Sequence, residues 1–536
     1  MVLAIAAAER HDADMNRSSA AIAPIVVAGL LAALSLAPAA RAATYGLAVG
    51  VDDYIGRSND LAGAVNDARE IAAALEGAGA TEVVLLVNGD ATKAAIESAW
   101  MRLVEIAAPG DTLVFSYAGH GGQEPEPPGR RGEADGLNET FILGGYQSIG
   151  DASAERIIDD EIFAWLTFAE DRGLEVIFVA DSCHSGTMYR NVAGSTLRTR
   201  NGEFDPPEGN DLLDRIEPAY ATATEGDFRH VTFIGANQED RVTPELLIDG
   251  VARGALSWAF ARAVEGAADR NDDGAITQQE LLAYLVPAVE IHAHNQQTPS
   301  LLPLSPEPRA LISIGEGTER FAQVLAATDA VISVAVLGAA ELPPVAGVML
   351  ADTDSDADLT WDVAAGWVEH RVAGRVAENV EPGDIGQILS KWVALALIER
   401  IAVADPFSIS VLDGNQTHLR GERLTVVMTG GTRRYLTLFN LPPDGRVELL
   451  APISAAEAEE DWRGEQRTLA LEVADPPYGA EHLVAILTDE RPAALQAALR
   501  NMADAADDSG LAALLVELLG DTEAQAGILG IYTAAE

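Results

Sequence analysis

The chain reads as an α/β protein with a mostly parallel sheet covered by helices on both faces, followed by a β-rich C-terminal domain. Three observations predict this. Apolar runs of strand length with little polar alternation recur between about residues 45 and 315, as strands buried on both faces require. Amphipathic stretches at helical spacing fall between them. After about residue 405 the pattern shifts to period two, the mark of strands with one buried face.

The elements follow in order. Residues 45–51 (YGLAVGV) form the first strand, and 62–76 a helix with Ala64, Ala68, Ile71 and Leu75 on one face. A strand at 83–87 and a helix at 92–106 come next. Residues 112–117 (TLVFSY) and 174–180 (LEVIFVA) are two further buried strands, with a helix at 160–168 between them. Shorter strands are expected at 230–234 and 310–314, separated by helices at 255–265 and 278–285. Residues 185–229 are rich in Gly, Pro, Arg and Asp and read as a long surface loop. Beyond them, 316–404 is a helical or mixed linker region with an amphipathic helix at 385–401. Residues 405–536 form the β-rich accessory domain, closing on helices at 491–519.

A length of 536 residues implies two or three domains. Lys and Arg number 35 against 83 Asp and Glu, for a net charge of −48. Such a surface repels nucleic acid and anionic lipid and favours cations and basic substrates. Residues 1–43 carry the order of a secretory signal peptide: Arg17, an apolar run, then Ala40-Arg41-Ala42. The acidic stretch before Met15 fits that order poorly, so Met15 is the expected start. The first mature domain is then 44–315, exported to the periplasm or medium, with no stable membrane span after signal removal.

Cys183 is the single cysteine, so no intramolecular disulfide forms. It lies in Asp181-Ser182-Cys183-His184-Ser185-Gly186, just past one buried strand. His120 lies in Tyr117-Ala118-Gly119-His120-Gly121-Gly122, just past another. In a parallel sheet, chemistry gathers beyond the carboxyl ends of strands. A thiol there becomes a strong nucleophile when an imidazole takes its proton. Cys183 and His120 are therefore the expected nucleophile and base, with the backbone N–H groups of Gly121 and Cys183 as oxyanion donors. His184 is read as structural.

These paired motifs resemble the histidine and cysteine motifs of the metacaspases and bacterial caspase-like cysteine peptidases, over about residues 45–315. The resemblance implies a caspase-like fold and a Cys–His dyad without a strong third member. It also implies cleavage of protein or peptide substrates after Arg or Lys, in a pocket lined by Asp67 and Asp181, which suit a guanidinium fork. A pocket serine of some metacaspases is Ala118 here. Self-cleavage at Arg198 or Arg200 is expected if basic residues are preferred. The family's calcium site maps onto Asp159 and Asp160, yet Asn138 and Arg190 stand where further acids would be, which weakens it. A second calcium signal is an EF-hand-like loop at 269–280, with Asp269, Asn271, Asp273, Thr277 and Glu280 as oxygen ligands and Gly274 at the turn. The chemistry itself requires no cofactor. The C-terminal part resembles a β-rich domain that commonly follows bacterial caspase folds. A catalytically silent calcium-binding envelope protein and a transpeptidase using the same thioester are the alternatives.

Overall fold

The computed structural model describes residues 42–56, 59–125, 136–182, 200, 204–205, 207, 228–236, 243–248, 251–271, 273–293, 297–303, 309–314, 332–352, 357–412, 417–473, 476–505, 510–520 and 522–535. The signal-peptide expectation for 1–43 lies almost wholly outside them.

The first half alternates strand and helix: β1 (Thr44–Gly50), α1 (Ala64–Gly77), β2 (Glu82–Val87), α2 (Lys93–Ile106) and β3 (Thr112–Ala118). A small antiparallel sheet of β4 (Gly121–Pro125), β5 (Leu137–Ile142) and β6 (Arg156–Ile158) then leads into α3 (Asp159–Asp171). β7 (Glu175–Asp181), β8 (Val231–Gly235), the hairpin β9 (Leu246–Ile248) and β10 (Val251–Arg253), and α4 (Ala255–Arg262) follow. The half ends with β11 (Ala275–Thr277), α5 (Gln278–His292), β12 (Ser300–Leu302) and β13 (Ala310–Ser313).

The main sheet has six strands in the order β12-β8-β7-β3-β1-β2, all parallel except the edge strand β12. Successive strand side chains point to opposite faces, and here both faces are cores. Leu113, Phe115, Tyr117, Val176 and Phe178 pack with Trp100, Leu103 and Trp165 of α2 and α3. Val114, Ile177 and Val179 pack with Ile71 and Leu75 of α1, Leu256 of α4 and Tyr284 of α5. Double burial explains why these strands read as continuous apolar runs. The strand expected at 310–314 lies outside this sheet: β13 pairs with β11, and β12 takes the edge instead.

The second half begins with β14 (Ile332–Leu337), β15 (Val348–Ala351), β16 (Leu359–Asp362), β17 (Trp367–His370) and β18 (Gly374–Glu378), which form one five-stranded sheet. α6 (Ile385–Ala404) follows, then β19 (Ser408–Val411), β20 (Thr417–Leu419), β21 (Arg423–Gly431), β22 (Tyr435–Leu441), β23 (Glu448–Ala451), β24 (Gly464–Glu472) and β25 (Ala480–Thr488). α7 (Ala493–Ala505), α8 (Leu511–Leu519) and β26 (Ala524–Ala534) close the chain. A three-stranded sheet, β19-β21-β24, faces a five-stranded one, β20-β26-β25-β22-β23, across a core that includes Ile409, Val426, Met428, Leu438 and Leu529. The other face of the five-stranded sheet packs, through Phe439, Val484 and Ile528, on a core shared with α6 and with Val334 and Trp361 of the β14–β18 sheet.

Residues 332–404 are thus built into the same core as the sheets that follow, although the sequence suggests a linker. Ile291 of α5 also joins that core. Residues Ala42–Glu536 form one compact unit. Among the described residues no helix is long and apolar enough to cross a membrane.

Candidate active site

β3 and β7 run side by side with Ala118 opposite Asp181. His120 and Cys183 each follow those partners by two residues, so the register directs both motifs to one edge of the sheet. Cys183 itself lies outside the described residues, as do His184, Arg190 and Arg198.

His120 is buried, with its backbone N–H donating to Tyr54 Oη at 2.8 Å. The Tyr54 ring packs on the imidazole with centroids 4.6 Å apart. Nε2 lies 2.7 Å from the Asn59 carbonyl. A carbonyl only accepts, so the ring proton belongs on Nε2. Nδ1 has no hydrogen-bond partner among the described residues and keeps its lone pair. Burial lowers the imidazole pKa to about 4, opposed by the Asn59 and Arg200 backbones. The ring is therefore neutral at pH 7, which is the state a general base needs. The Asn59 backbone carbonyl orients it, a role invisible in sequence because every residue, whatever its side chain, supplies a backbone carbonyl.

Asp67 on α1 and Asp181 at the end of β7 are fully buried and converge on one point. The guanidinium of Arg200, equally buried, lies between them. Nη2 pairs with Asp67. Nη1 lies 2.9 Å from Asp181 Oδ1 and donates to the Asp181 carbonyl at 2.8 Å. A third carboxylate, Glu245, sits 3.8 Å from Nη2. Glu245 is held by the Ala62 and Gly63 N–H groups at 2.9 and 2.8 Å, at the start of α1. Desolvation opposes the charge on Arg200, yet Asp181, Asp67 and Glu245 together raise its pKa above the ordinary value. Burial pushes Asp67 up to about 8; Arg200 pulls it down while Asp181 adds to the rise.

The entry to α4 completes this pocket. The Gly254 N–H donates to both Asp67 carboxylate oxygens at 3.0 and 2.9 Å, and the Ser257 N–H to Asp181 Oδ2 at 2.9 Å. The positive end of the helix thus faces the acids. A Cβ on Gly254 would lie 2.1 Å from Asp181 Oδ2, so only glycine fits there. The Arg200 backbone is held too. Its N–H donates to the Thr243 carbonyl at 2.9 Å, and its carbonyl accepts from the Gly121 N–H at 3.2 Å. Glu245, Gly254 and Ser257 carry no local signal that separates them from ordinary loop and helix residues.

Residues 45–191 match the model of the metacaspase, peptidase C14 domain. That region is similar to the metacaspase and caspase-like family. Metacaspase-1 of Ajellomyces capsulatus is 26% identical over 257 residues, covering 41% of this chain and 70% of that protein. Metacaspase-1A of Aspergillus niger is 27% identical over 256 residues, covering 41% and 61%. Metacaspase-1 of Mycosarcoma maydis is 36% identical over 149 residues, covering 26% and 35%. The chain therefore spans about a third to about two thirds of these relatives. Among solved structures, pro-sf-caspase-1 overlays with a TM-score of 0.32 at 12% identity, covering 52% of this chain and 93% of that one. A Geobacter sulfurreducens protein does so with a TM-score of 0.38 at 23% identity, covering 51% and 100%.

The sequence suggests calcium at two places. At α3, Asp159 Oδ2 accepts from the Glu139 N–H at 3.3 Å and Oδ1 from the Asp160 N–H at 2.8 Å. Burial, with Glu139 and Asp160 adding repulsion, pushes Asp159 up to about 8. In the 269–280 loop, Gly274 adopts the left-handed turn (φ +77°). The Asp269 oxygens accept from the Asp273 and Gly274 N–H groups at 3.3 and 3.0 Å. Asn271 and Asp273 likewise accept from backbone N–H groups, at 2.9 Å each. Glu280 Oε2 accepts from the Thr277 N–H and hydroxyl at 3.0 and 2.7 Å, capping α5. The oxygens suit calcium in kind. Among the described residues, however, no three His, Cys, Asp or Glu converge tightly enough to hold a metal.

Proposed function

We propose that this chain is an exported cysteine endopeptidase that cuts after Arg or Lys. One observation carries the specificity: Arg200 buries its guanidinium among three carboxylates while its carbonyl accepts from Gly121 beside His120. That is the pose of a residue preceding a scissile bond. The Cys183 thiol attacks the carbonyl carbon as Nδ1 of His120 takes its proton. The oxyanion is stabilised by the Gly121 and Cys183 N–H groups. The imidazolium then protonates the leaving amine, and water hydrolyses the thioester to a carboxylate. By the same geometry, Arg200–Asn201 is the chain's own first substrate. The family match and the neutral, oriented imidazole support this reading.

Fluorogenic peptides ending in Arg, Lys or Asp test it, with protein beginning near Ala43. Hydrolysis after Arg and Lys, abolished in Cys183→Ala, is expected; hydrolysis after Asp alone overturns the pocket assignment. Calcium at the 269–280 loop is proposed as a modulator that would draw Glu280 away from Thr277. Calorimetric titration is expected to give a dissociation constant below millimolar, weakened by Glu280→Gln. Heat indistinguishable from dilution removes it.

A further inference from the structure

Four residues beyond Arg200, the Phe204 ring stands edge-on to His120 with centroids 5.5 Å apart. It packs between Tyr54 at 5.7 Å and Tyr146 at 5.9 Å. Both tyrosines are buried. Tyr146 Oη donates to the carbonyl of Asp205, the next residue, at 2.8 Å. One contact thus takes a side chain, and the adjacent one takes backbone that every peptide offers. Since the base must stand beside the leaving amine, a side chain seated against His120 lies on the leaving-group side of the bond.

We propose that Tyr54 and Tyr146 form a second specificity pocket, which takes a large aromatic side chain at the fourth residue after the scissile bond. The inference rests on reading Arg200–Asn201 as that bond. Phe204 fills the pocket in the uncleaved chain, and external substrates carrying arginine followed four residues later by an aromatic ring fill it afterwards. Burying a phenyl ring and stacking it on aromatic edges contributes enough to favour such substrates by about tenfold.

The test uses the full chain carrying Phe204→Ala, which vacates the pocket. Two internally quenched peptides are compared, identical except for Phe or Ala at the fourth position after a single Arg. About tenfold higher kcat/KM for the Phe peptide is expected, falling towards equality when Tyr146→Ala is added. This ratio does not depend on how much of the variant is folded. Equal kcat/KM for both peptides, with cleavage after Arg intact, overturns the pocket and leaves the peptidase reading standing. So does a preference that survives Tyr146→Ala. No cleavage after Arg in either peptide, or by the parent chain, removes both.

Discussion

The Asp67 carboxyl is fully buried, and that burial raises its pKa to about 8 even with a guanidinium beside it. His120 shifts the other way, to about 4. The base is therefore ready across the neutral range, and the pocket acid sets the profile. Asp67 binds a cation only when ionised. For an Arg peptide, kcat/KM is expected to climb as pH rises through about 8, and Asp67→Asn to flatten that climb; initial rates from pH 6 to 9 check this. Glu245 lies farther from the guanidinium than the two aspartates, and it also holds the start of α1. Glu245→Gln keeps that hydrogen-bonding role in part and removes the charge. A rise in KM for Arg peptides of about tenfold, with kcat changed less, is the expected outcome. A loss confined to kcat would assign Glu245 to another role.

Among the elements, α4 matters through its first turn rather than its length. Gly254 donates to Asp67 and touches Asp181, so a methyl group there must displace a carboxylate or the helix. Gly254→Ala is expected to lower kcat/KM for Arg peptides by about a hundredfold or more, because it disturbs a buried charge cluster; circular dichroism separates this from unfolding. α6 is a different case. Its sequence suggests an amphipathic helix, yet it is buried nearly all round, packed against α5, α8, β14 and β26. Lys391 within it donates to the Pro442 and Ala480 carbonyls at 3.0 and 2.7 Å, and burial lowers its pKa to about 7. In the unfolded chain this lysine keeps its proton to about pH 10, so the unfolded state binds more protons above pH 7. The folded state therefore gains stability as pH rises from 7 towards 10. Chemical denaturation is expected to show the parent gaining about 2 kcal/mol on Lys391→Met between pH 7 and 9.

At the scale of the whole molecule, the chain's own Arg200 fills the pocket of Asp67, Asp181 and Glu245. Activity towards external peptides is expected to begin with a lag that tracks a fragment starting at Asn201. Arg200→Lys lengthens the lag, since an ammonium cannot pair two carboxylates in a planar fork; gel analysis with N-terminal sequencing reads it. Legibility in the sequence divides along the same scale. The strand that leads to His120 and the one that ends at Asp181 are readable because burial on both faces writes an unbroken apolar run. β26 is not: its Gly527 and Gly530 dilute the pattern, and pairing with β20 and β25 in the five-stranded sheet makes it a strand. The 316–404 region reads as a linker because the strands in it are only four to six residues long, too short to show a clear period.

What the sequence determined by itself was the alternation of strand and helix and the two motifs at strand ends. Each rests on residues close along the chain, whose spacing sets periodicity and turn chemistry. What only the tertiary structure decided was the pocket's third carboxylate, its glycine wall, the carbonyl that orients His120, and the arginine between the acids. Gly254 meets Asp67 across 187 positions. No local pattern encodes such a contact, because it exists only once the packing of α1 against α4 has brought the two together.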